Sequence, residues 1–276
     1  MKKGLTEMVF IIDKSGSMEG LEKDTIGGFN SMLKEQQAVE GEAIVTTVLF
    51  DNRYELLHDR IDIRAVSPLT EKNYTVGGNT ALLDALGKTI RKIREVQENT
   101  AEDYRAEKVL FTIITDGEEN ASREYSAERI KTRIEHQKQK YGWEFVFFGA
   151  NMDAVLEAGK LGISAEYAQN YCADASGTST AYTAISAIST AYRGGNSSLG
   201  GIAIDNLKKA VSGAKGAADE LVDVFGDIVK SEKANNDKIP DVNDILRKVL
   251  EDELKELEAK GGDKARISEL RDVLSR

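Results

Sequence analysis

The sequence predicts a doubly wound α/β fold, in which helices cover both faces of a mostly parallel β-sheet. The first indication is that apolar runs of strand length alternate with segments of helical period over residues 1–195. The second is that the two β-branched runs at 43–50 and 54–63 are separated by only a short polar turn. Because strands joined so closely pair antiparallel, the sheet should carry one antiparallel edge strand.

The first half of this region contains three predicted strands and two predicted helices. The apolar run at 8–12 predicts the first strand, and Ile26, Phe29, Met32 and Leu33 share one face of a helix over 21–37. The strands at 43–50 and 54–63 follow. A second amphipathic helix is predicted over 81–96.

The second half begins with a near-continuous apolar run at 109–114, which is typical of a strand buried on both faces. The remaining elements are a helix over 126–140, a buried strand over 143–148, a short helix over 152–160 and an edge strand around 166–172. The stretch 173–195 is rich in Ala, Ser and Thr, but its apolar residues fall on one face, which favours a closely packed helix.

The clearest domain boundary lies in the Gly- and Ser-rich segment near residue 195. We predict one domain over 1–195, a linker over 196–201 and a helical C-terminal extension over 202–276. The extension carries about three apolar helical stripes with no sustained heptad. Packing of these helices on one another or on the main domain is therefore favoured over a partner-binding coiled coil.

Composition narrows the functional classes. The net charge is −10, and its acidic and basic residues are interspersed, which speaks against general binding to nucleic acid or anionic membranes. Cys172 is the only cysteine, so no intramolecular disulfide can form, and His58 and His136 have no zinc-site spacing. No apolar stretch has the length of a signal peptide core or a membrane span, which favours the cytoplasm.

Three polar clusters follow or precede elements of the predicted sheet. They are Asp13-Lys14-Ser15-Gly16-Ser17 after the first strand, Gly77-Gly78-Asn79-Thr80 before a helix, and Thr115-Asp116-Gly117 after the central strand. In open α/β sheets, the loops at the carboxyl ends of strands converge near the point where the strand order reverses. The three clusters can therefore meet at one site.

These clusters resemble the metal-ion-dependent adhesion site of von Willebrand factor A-type domains. The likeness covers roughly residues 6–195, and it includes all five ligand positions, Asp13, Ser15, Ser17, Thr80 and Asp116. The family implies a Rossmann-like doubly wound sheet with one antiparallel edge strand. The short form is similar to stand-alone bacterial or phage-borne members, including those of tellurium-resistance and related stress systems.

The resemblance implies a role for each ligand. Ser15 and Ser17 would coordinate directly, Thr80 would coordinate when the site is engaged, and Asp13 and Asp116 would act largely through water. A site of carboxylate and hydroxyl oxygens suits Mg²⁺, with Mn²⁺ or Ca²⁺ as alternatives. With few anionic ligands in contact, the metal could accept an Asp or Glu side chain of a protein partner.

Every one of these residues also has an ordinary structural interpretation. The three hydroxyls stand just before helices, where Ser and Thr are common N-caps, and Asp116-Gly117 alone would be an ordinary turn. Glu118, Glu119 and Asn120 would be a solvated helix approach that favours the helix dipole, or Glu118 or Glu119 would shape the rim of the site and select the partner. Gly16, Gly77 and Gly78 would serve backbone geometry.

The sequence does not favour an enzyme. A haloacid-dehalogenase-like phosphatase would carry a second aspartate two residues after the first, where this chain has Ser15. It also lacks a nucleophile elbow and the glycine-rich phosphate-binding motifs. The alternative function is a subunit of a larger assembly, associated with an AAA+ ATPase or with nucleic acid, in which the site has a structural use.

Overall fold

A computed structural model of the chain describes residues 1–195. The predicted linker at 196–201 and the predicted helical extension at 202–276 lie outside the described residues. Among residues 1–195, no helix has the length and apolar character needed to cross a membrane.

The sheet has six strands in the order β3-β2-β1-β4-β5-β6. All neighbouring pairs are parallel except β2 and β3, which pair antiparallel at the edge. The predicted fold class is thereby confirmed, including its antiparallel edge strand. The strands are β1 (Lys2–Asp13), β2 (Ala43–Phe50), β3 (Tyr54–Asp62), β4 (Ala106–Thr115), β5 (Glu144–Gly149) and β6 (Ala168–Asn170).

Within residues 1–195, five α-helices flank the sheet. They are α1 (Glu22–Ala38), α2 (Leu82–Asn99), α3 (Ala127–Tyr141), α4 (Ala154–Lys160) and α5 (Ala175–Arg193). Helix α1 packs on α5, while α2 packs on α3 and α3 on α4. Each helix predicted within residues 1–195 is present, with ends that shift by no more than three residues.

Local chemistry sets several of these ends. The side chains of Ser126, Asp153 and Asp174 accept backbone N–H groups at the first turns of α3, α4 and α5. Helix α3 stops at Gly142, whose left-handed backbone (φ 65°) costs a glycine little.

The close packing predicted for residues 173–195 is present in the seam between α1 and α5. A side chain at Gly28 of α1 would begin only 2.4 Å from the ring of Tyr182 on α5, so the glycine lets the helices approach. At the other end of the seam, the buried guanidinium of Arg193 donates to the carbonyls of Gln36, Val39 and Gly41. These bonds satisfy carbonyls at the C-terminus of α1 and fix α5 along the domain.

The strand order reverses between β1 and β4. From β1 the chain builds outward through β2 and β3, then crosses by α2 to β4 on the other side of β1. Ile12 pairs with Ile114, so Asp13 and Thr115 end adjacent strands at the same level. This is the position at which doubly wound sheets bind their ligands.

Candidate metal centre

The three predicted loops meet at the carboxyl ends of β1 and β4. The loop after β1 is joined to the glycine loop by two backbone hydrogen bonds, from Gly16 N to the Gly78 carbonyl (3.0 Å) and from Gly77 N to the Lys14 carbonyl (2.9 Å). Gly77 and Gly78 have φ values of 153° and 76°, which side chains rarely adopt. The predicted backbone role of the glycines is therefore confirmed.

Three hydroxyl groups form the centre of the site. The Thr80 hydroxyl donates to Ser15 Oγ at 3.0 Å, and the Ser15 and Ser17 hydroxyl oxygens lie 3.1 Å apart. Ser15 and Thr80 are almost fully buried. Oxygens from two separate loops thus converge on one point.

The N-cap interpretation of these hydroxyls is wrong. The Ser15 side chain makes no capping bond to the 3₁₀ turn that follows it (Gly16–Met18). Helix α1 has Leu21 at its N-cap and α2 has Ala81, and neither cap position uses a side chain. The hydroxyls are bonded to one another instead, so their orientation needs an explanation other than helix capping.

Both carboxylate oxygens of Asp13 are engaged by the protein. Oδ1 accepts the N–H of Ser15 at 2.7 Å, and Oδ2 accepts the Thr115 hydroxyl at 2.6 Å. Burial raises the pKa of Asp13, and the bonds from Thr115 and Ser15 offset part of that rise. Because its oxygens are already occupied, Asp13 is better suited to orienting the loop or a bound water than to direct coordination.

Asp116 has the opposite environment. Both of its carboxylate oxygens are buried without a hydrogen-bond partner, and the residue is 2% exposed. Burial raises the pKa of Asp116 to about 6, and the charge of Asp13 adds to the rise. The side chains of Ser17 and Asn151 lie near enough to offset part of it, but neither makes a hydrogen bond of normal geometry. The Asp116 side chain makes none of the local backbone hydrogen bonds that often hold an aspartate in a turn.

Gly117 leaves an open space beside these oxygens. A Cβ atom at this position would lie 2.8 Å from Ser17 Oγ and 3.1 Å from Thr80 Oγ1. Any side chain would therefore enter the group of hydroxyls. The glycine therefore allows the loop after β4 to approach these hydroxyls closely.

The donor set fits a hard divalent cation. The structure brings Asp13, Ser15, Ser17, Thr80 and Asp116 together, and all of their donors are oxygens. Within residues 1–195, no group of three or more His, Cys, Asp or Glu side chains could hold a metal. A metal at this site would thus depend on hydroxyl ligands, and the assignment of the five residues as ligands stays a prediction.

Several residues that shape the site were not predicted from the sequence. Tyr74 is buried, and its hydroxyl donates to the Asp13 carbonyl at 2.6 Å. Asn120 accepts the Thr80 N–H at 3.0 Å through its side chain, and its own N–H donates to the Thr80 carbonyl. Asn151 reaches Asp116 from a left-handed backbone (φ 53°). Only Asn151 has a sequence signal, since Asn tolerates that conformation.

Glu118 and Glu119 differ sharply in their surroundings. Glu118 is exposed, and a role at the rim stays a prediction for it. The Glu119 carboxylate accepts hydrogen bonds from four groups, so the prediction that it is solvated is wrong.

No family model and no curated protein matches the chain. Among solved structures, it is similar to proximal thread matrix protein 1 from the mussel byssus, with 18% identity and a TM-score of 0.47 over 68% of this chain and 46% of that one. It is also similar to the ArnB paralog VWA2 from Sulfolobus acidocaldarius, with 16% identity and a TM-score of 0.44 over 68% and 45%. It is also similar to the manganese-loaded TRAP protein of Plasmodium vivax, with 22% identity and a TM-score of 0.41 over 54% of this chain and 58% of that one.

The chain thus spans less than half the length of the first two of these proteins. The mussel protein has also been solved with zinc in its MIDAS motif, the abbreviation for a metal-ion-dependent adhesion site. At these identities the likeness concerns the fold alone, and the zinc and manganese belong to those proteins.

Proposed function

We propose that the domain is a non-enzymatic protein-binding module that holds one Mg²⁺ ion and uses it to capture an Asp or Glu side chain of a partner protein. The observation that carries this proposal is a pair of features in one place. The Ser15 hydroxyl lies within 3.1 Å of the hydroxyls of Ser17 and Thr80, beside a buried carboxylate whose two oxygens lack partners.

A buried, unpartnered carboxylate is costly, so such groups are normally paired or bound to a metal. A cation between Asp116 and the hydroxyls would satisfy both oxygens. The neutral direct ligands Ser15, Ser17 and Thr80 would leave most of its positive charge uncompensated. That charge favours an anionic sixth ligand from outside, which a partner carboxylate supplies.

The hydroxyls do not have the surroundings of enzymatic nucleophiles. An activated serine needs a general base within hydrogen-bond reach. Ser15 Oγ is hydrogen-bonded to two other hydroxyls. The carboxylate beside it, Asp13, already accepts the Ser15 N–H and the Thr115 hydroxyl, so it is not a free general base. Binding is therefore favoured over catalysis.

The family of the protein and its cellular setting are part of the same proposal. The five matching positions support membership of the von Willebrand factor A-type family. The single cysteine supports a reducing, cytoplasmic setting.

The test is metal-dependent capture of a partner. Immobilised protein would be exposed to lysate in Mg²⁺ or in EDTA, for the wild type, for Ser15→Ala and for the exposed-helix control Ser31→Ala. We expect one set of partners that is retained by the wild type and the control in Mg²⁺ and lost in EDTA and with Ser15→Ala. Capture that is identical in EDTA would contradict the proposal, and capture that falls steeply with salt in both buffers would favour nucleic acid.

A further inference from the structure

Resting on the proposed metal site, we infer that Glu119 is a positioning residue for metal binding, which holds Thr80 in place by capping helix α2 from the neighbouring loop. Glu119 lies outside the five predicted ligands. It acts through a set of hydrogen bonds that joins residues 119–125, here called the clamp loop, to the first turn of α2.

The N-terminus of helix α2 is capped by side chains of another segment. Helix α2 begins after Ala81, whose side chain cannot cap, so the first N–H groups of the helix need partners from elsewhere. Leu83 N donates to Glu119 Oε2 at 2.9 Å, and Asp84 N donates to Ser122 Oγ at 3.0 Å. Both caps come from the clamp loop.

Glu119 also accepts hydrogen bonds from within the clamp loop. Its Oε1 accepts the N–H groups of Ala121 (2.9 Å) and Ser122 (2.7 Å), and its Oε2 accepts the Ser122 hydroxyl (2.7 Å). In return, the Asp84 carboxylate accepts three N–H groups of the clamp loop at 2.9 to 3.0 Å, from Arg123, Glu124 and Tyr125. Each segment thus caps the other.

Thr80 connects the clamp loop to the proposed metal site. Thr80, one residue before the α2 cap, is bonded on both sides of its backbone to the same loop. Its N–H donates to Asn120 Oδ1 at 3.0 Å, and its carbonyl accepts the N–H groups of Asn120 (3.0 Å) and Ala121 (3.2 Å). Only Glu118 separates Asp116 and Gly117 from the clamp loop. The clamp therefore fixes the Thr80 hydroxyl relative to Asp116, and Glu119 supplies the carboxylate that bonds to the first turn of α2.

Hydrogen bonds to a charged acceptor are stronger than bonds between neutral groups, so loss of Glu119 should loosen this arrangement more than loss of one neutral partner would. A metal site tolerates small displacements of its ligands poorly. Displacement of the Thr80 hydroxyl should therefore lower metal affinity, even though Glu119 does not reach the metal.

The experiment measures the Mg²⁺ dissociation constant by calorimetry at 25 °C for Glu119→Ala and Glu119→Gln. The matched control is the exposed pair Glu128→Ala and Glu128→Gln on α3. We expect Glu119→Ala to weaken Mg²⁺ binding at least tenfold. Glu119→Gln should weaken it by a smaller factor, since the amide keeps one acceptor oxygen but turns an NH₂ group toward Leu83. Both Glu128 variants should remain within twofold of the wild type.

A double-mutant cycle separates positioning from general support of the fold. If Glu119 acts through Thr80, then Glu119→Ala should have little further effect on Mg²⁺ affinity in a Thr80→Val background. Equal loss in both backgrounds would overturn the inference, and so would an unchanged affinity in Glu119→Ala. Should Glu119→Ala not fold, Glu119→Gln decides alone, and an unchanged affinity there overturns it.

The failure of the proposed function would look different. If the wild type itself shows no Mg²⁺ binding, or Ser15→Ala binds as the wild type does, then the metal site is wrong and the inference falls with it. Wild-type binding that is lost in Ser15→Ala but kept in every Glu119 variant would leave the metal site standing and reject only the role of Glu119.

Discussion

Two buried carboxylates on the same sheet have opposite surroundings. Glu7, in the middle of β1, is fully buried and accepts hydrogen bonds from the guanidinium of Arg60 (Nε at 2.7 Å) and from the amide of Gln97. Asp116, after β4, is equally buried and has no partner for either oxygen. The buried carboxylate of Glu7 has its partners within the protein, whereas the carboxylate of Asp116 has none and therefore needs another explanation.

The backbone near these two groups supports the same distinction. Arg60 lies where the pairing of β2 with β3 shifts register, and it has a left-handed backbone (φ 51°) that a non-glycine residue seldom adopts. The strand is distorted in a way that brings the guanidinium to Glu7. At Asp116 the backbone brings no charged partner. The next residue, Gly117, has no side chain, and a Cβ there would meet the hydroxyls of Ser17 and Thr80.

The largest effect we expect is on stability, when the buried ion pair between Glu7 and Arg60 is broken. Arg60→Met keeps a long side chain and the same backbone, but leaves Glu7 buried without its cation. Removal of one partner from a buried ion pair typically costs about 3 kcal/mol, and urea unfolding at pH 7 should show a loss of this size. The control is Arg64→Met, which breaks the exposed pair with Asp62 and should cost far less stability, because solvent screens that pair. Equal losses in the two variants would contradict the contrast.

In the absence of metal, Asp116→Asn should not lower the free energy of unfolding, in contrast to Arg60→Met. It removes an unpartnered buried charge, so the metal-free protein should be as stable as the wild type or more stable. With Mg²⁺ at 100 times its wild-type dissociation constant, the wild type should gain about 2.7 kcal/mol and the variant should gain nothing. Thermal melts with Mg²⁺ and with EDTA measure both quantities, with Glu128→Gln on α3 as control. A marked loss of stability in EDTA would show that Asp116 has a structural partner after all.

Gly117→Ala tests the space rather than the charge. The new methyl group would begin 2.8 Å from Ser17 Oγ, so either the hydroxyl or the ion must move. We expect Mg²⁺ affinity to fall about tenfold, which corresponds to about 1.4 kcal/mol, while the fold is kept. Gly27→Ala on the open face of α1 meets no atom within 4 Å and should leave affinity unchanged. Calorimetric titration that finds equal affinity in Gly117→Ala would place the ion elsewhere.

The sequence predicted the elements well because each depends on a local pattern. Periodicity placed the helices α1 to α5 and the strands β2 to β5 within one to three residues. Strand β1 is longer than predicted, since its polar first residues pair with β4 across a register shift that the apolar pattern does not show. Strand β6, with three residues, is shorter than predicted.

The site was predictable only as far as its motif. Asp13, Ser15, Ser17, Thr80 and Asp116 follow strand ends in order, and the fold brings them together. The clamp by Glu119 and Asn120, and the bond from Tyr74 to Asp13, join segments 36 to 61 residues apart. Such bonds depend on tertiary geometry, and neither spacing nor propensity encodes them, so the sequence assigned Glu119 to solvent.

The smallest effect we expect concerns the pH dependence of Glu7. Burial raises the pKa of Glu7 above 4.5, and the bonds and charge of Arg60 offset part of the rise. The folded state therefore holds the proton more tightly than the unfolded state does. The free energy of unfolding from this group is greatest below pH 4.5 and is lost as pH rises through the folded pKa.

Glu7→Gln removes this titration while it keeps an acceptor for Arg60. The free energy of unfolding of the wild type minus that of the variant should decrease between pH 4.5 and 8, as measured by urea unfolding at fixed ionic strength. In the Arg60→Met background the decrease should be steeper, because burial then acts without the offsetting guanidinium. A difference that rises with pH in either background would mean that Arg60 outweighs burial, and Glu7 would then be a stabilising ion pair at neutral pH rather than a tolerated one.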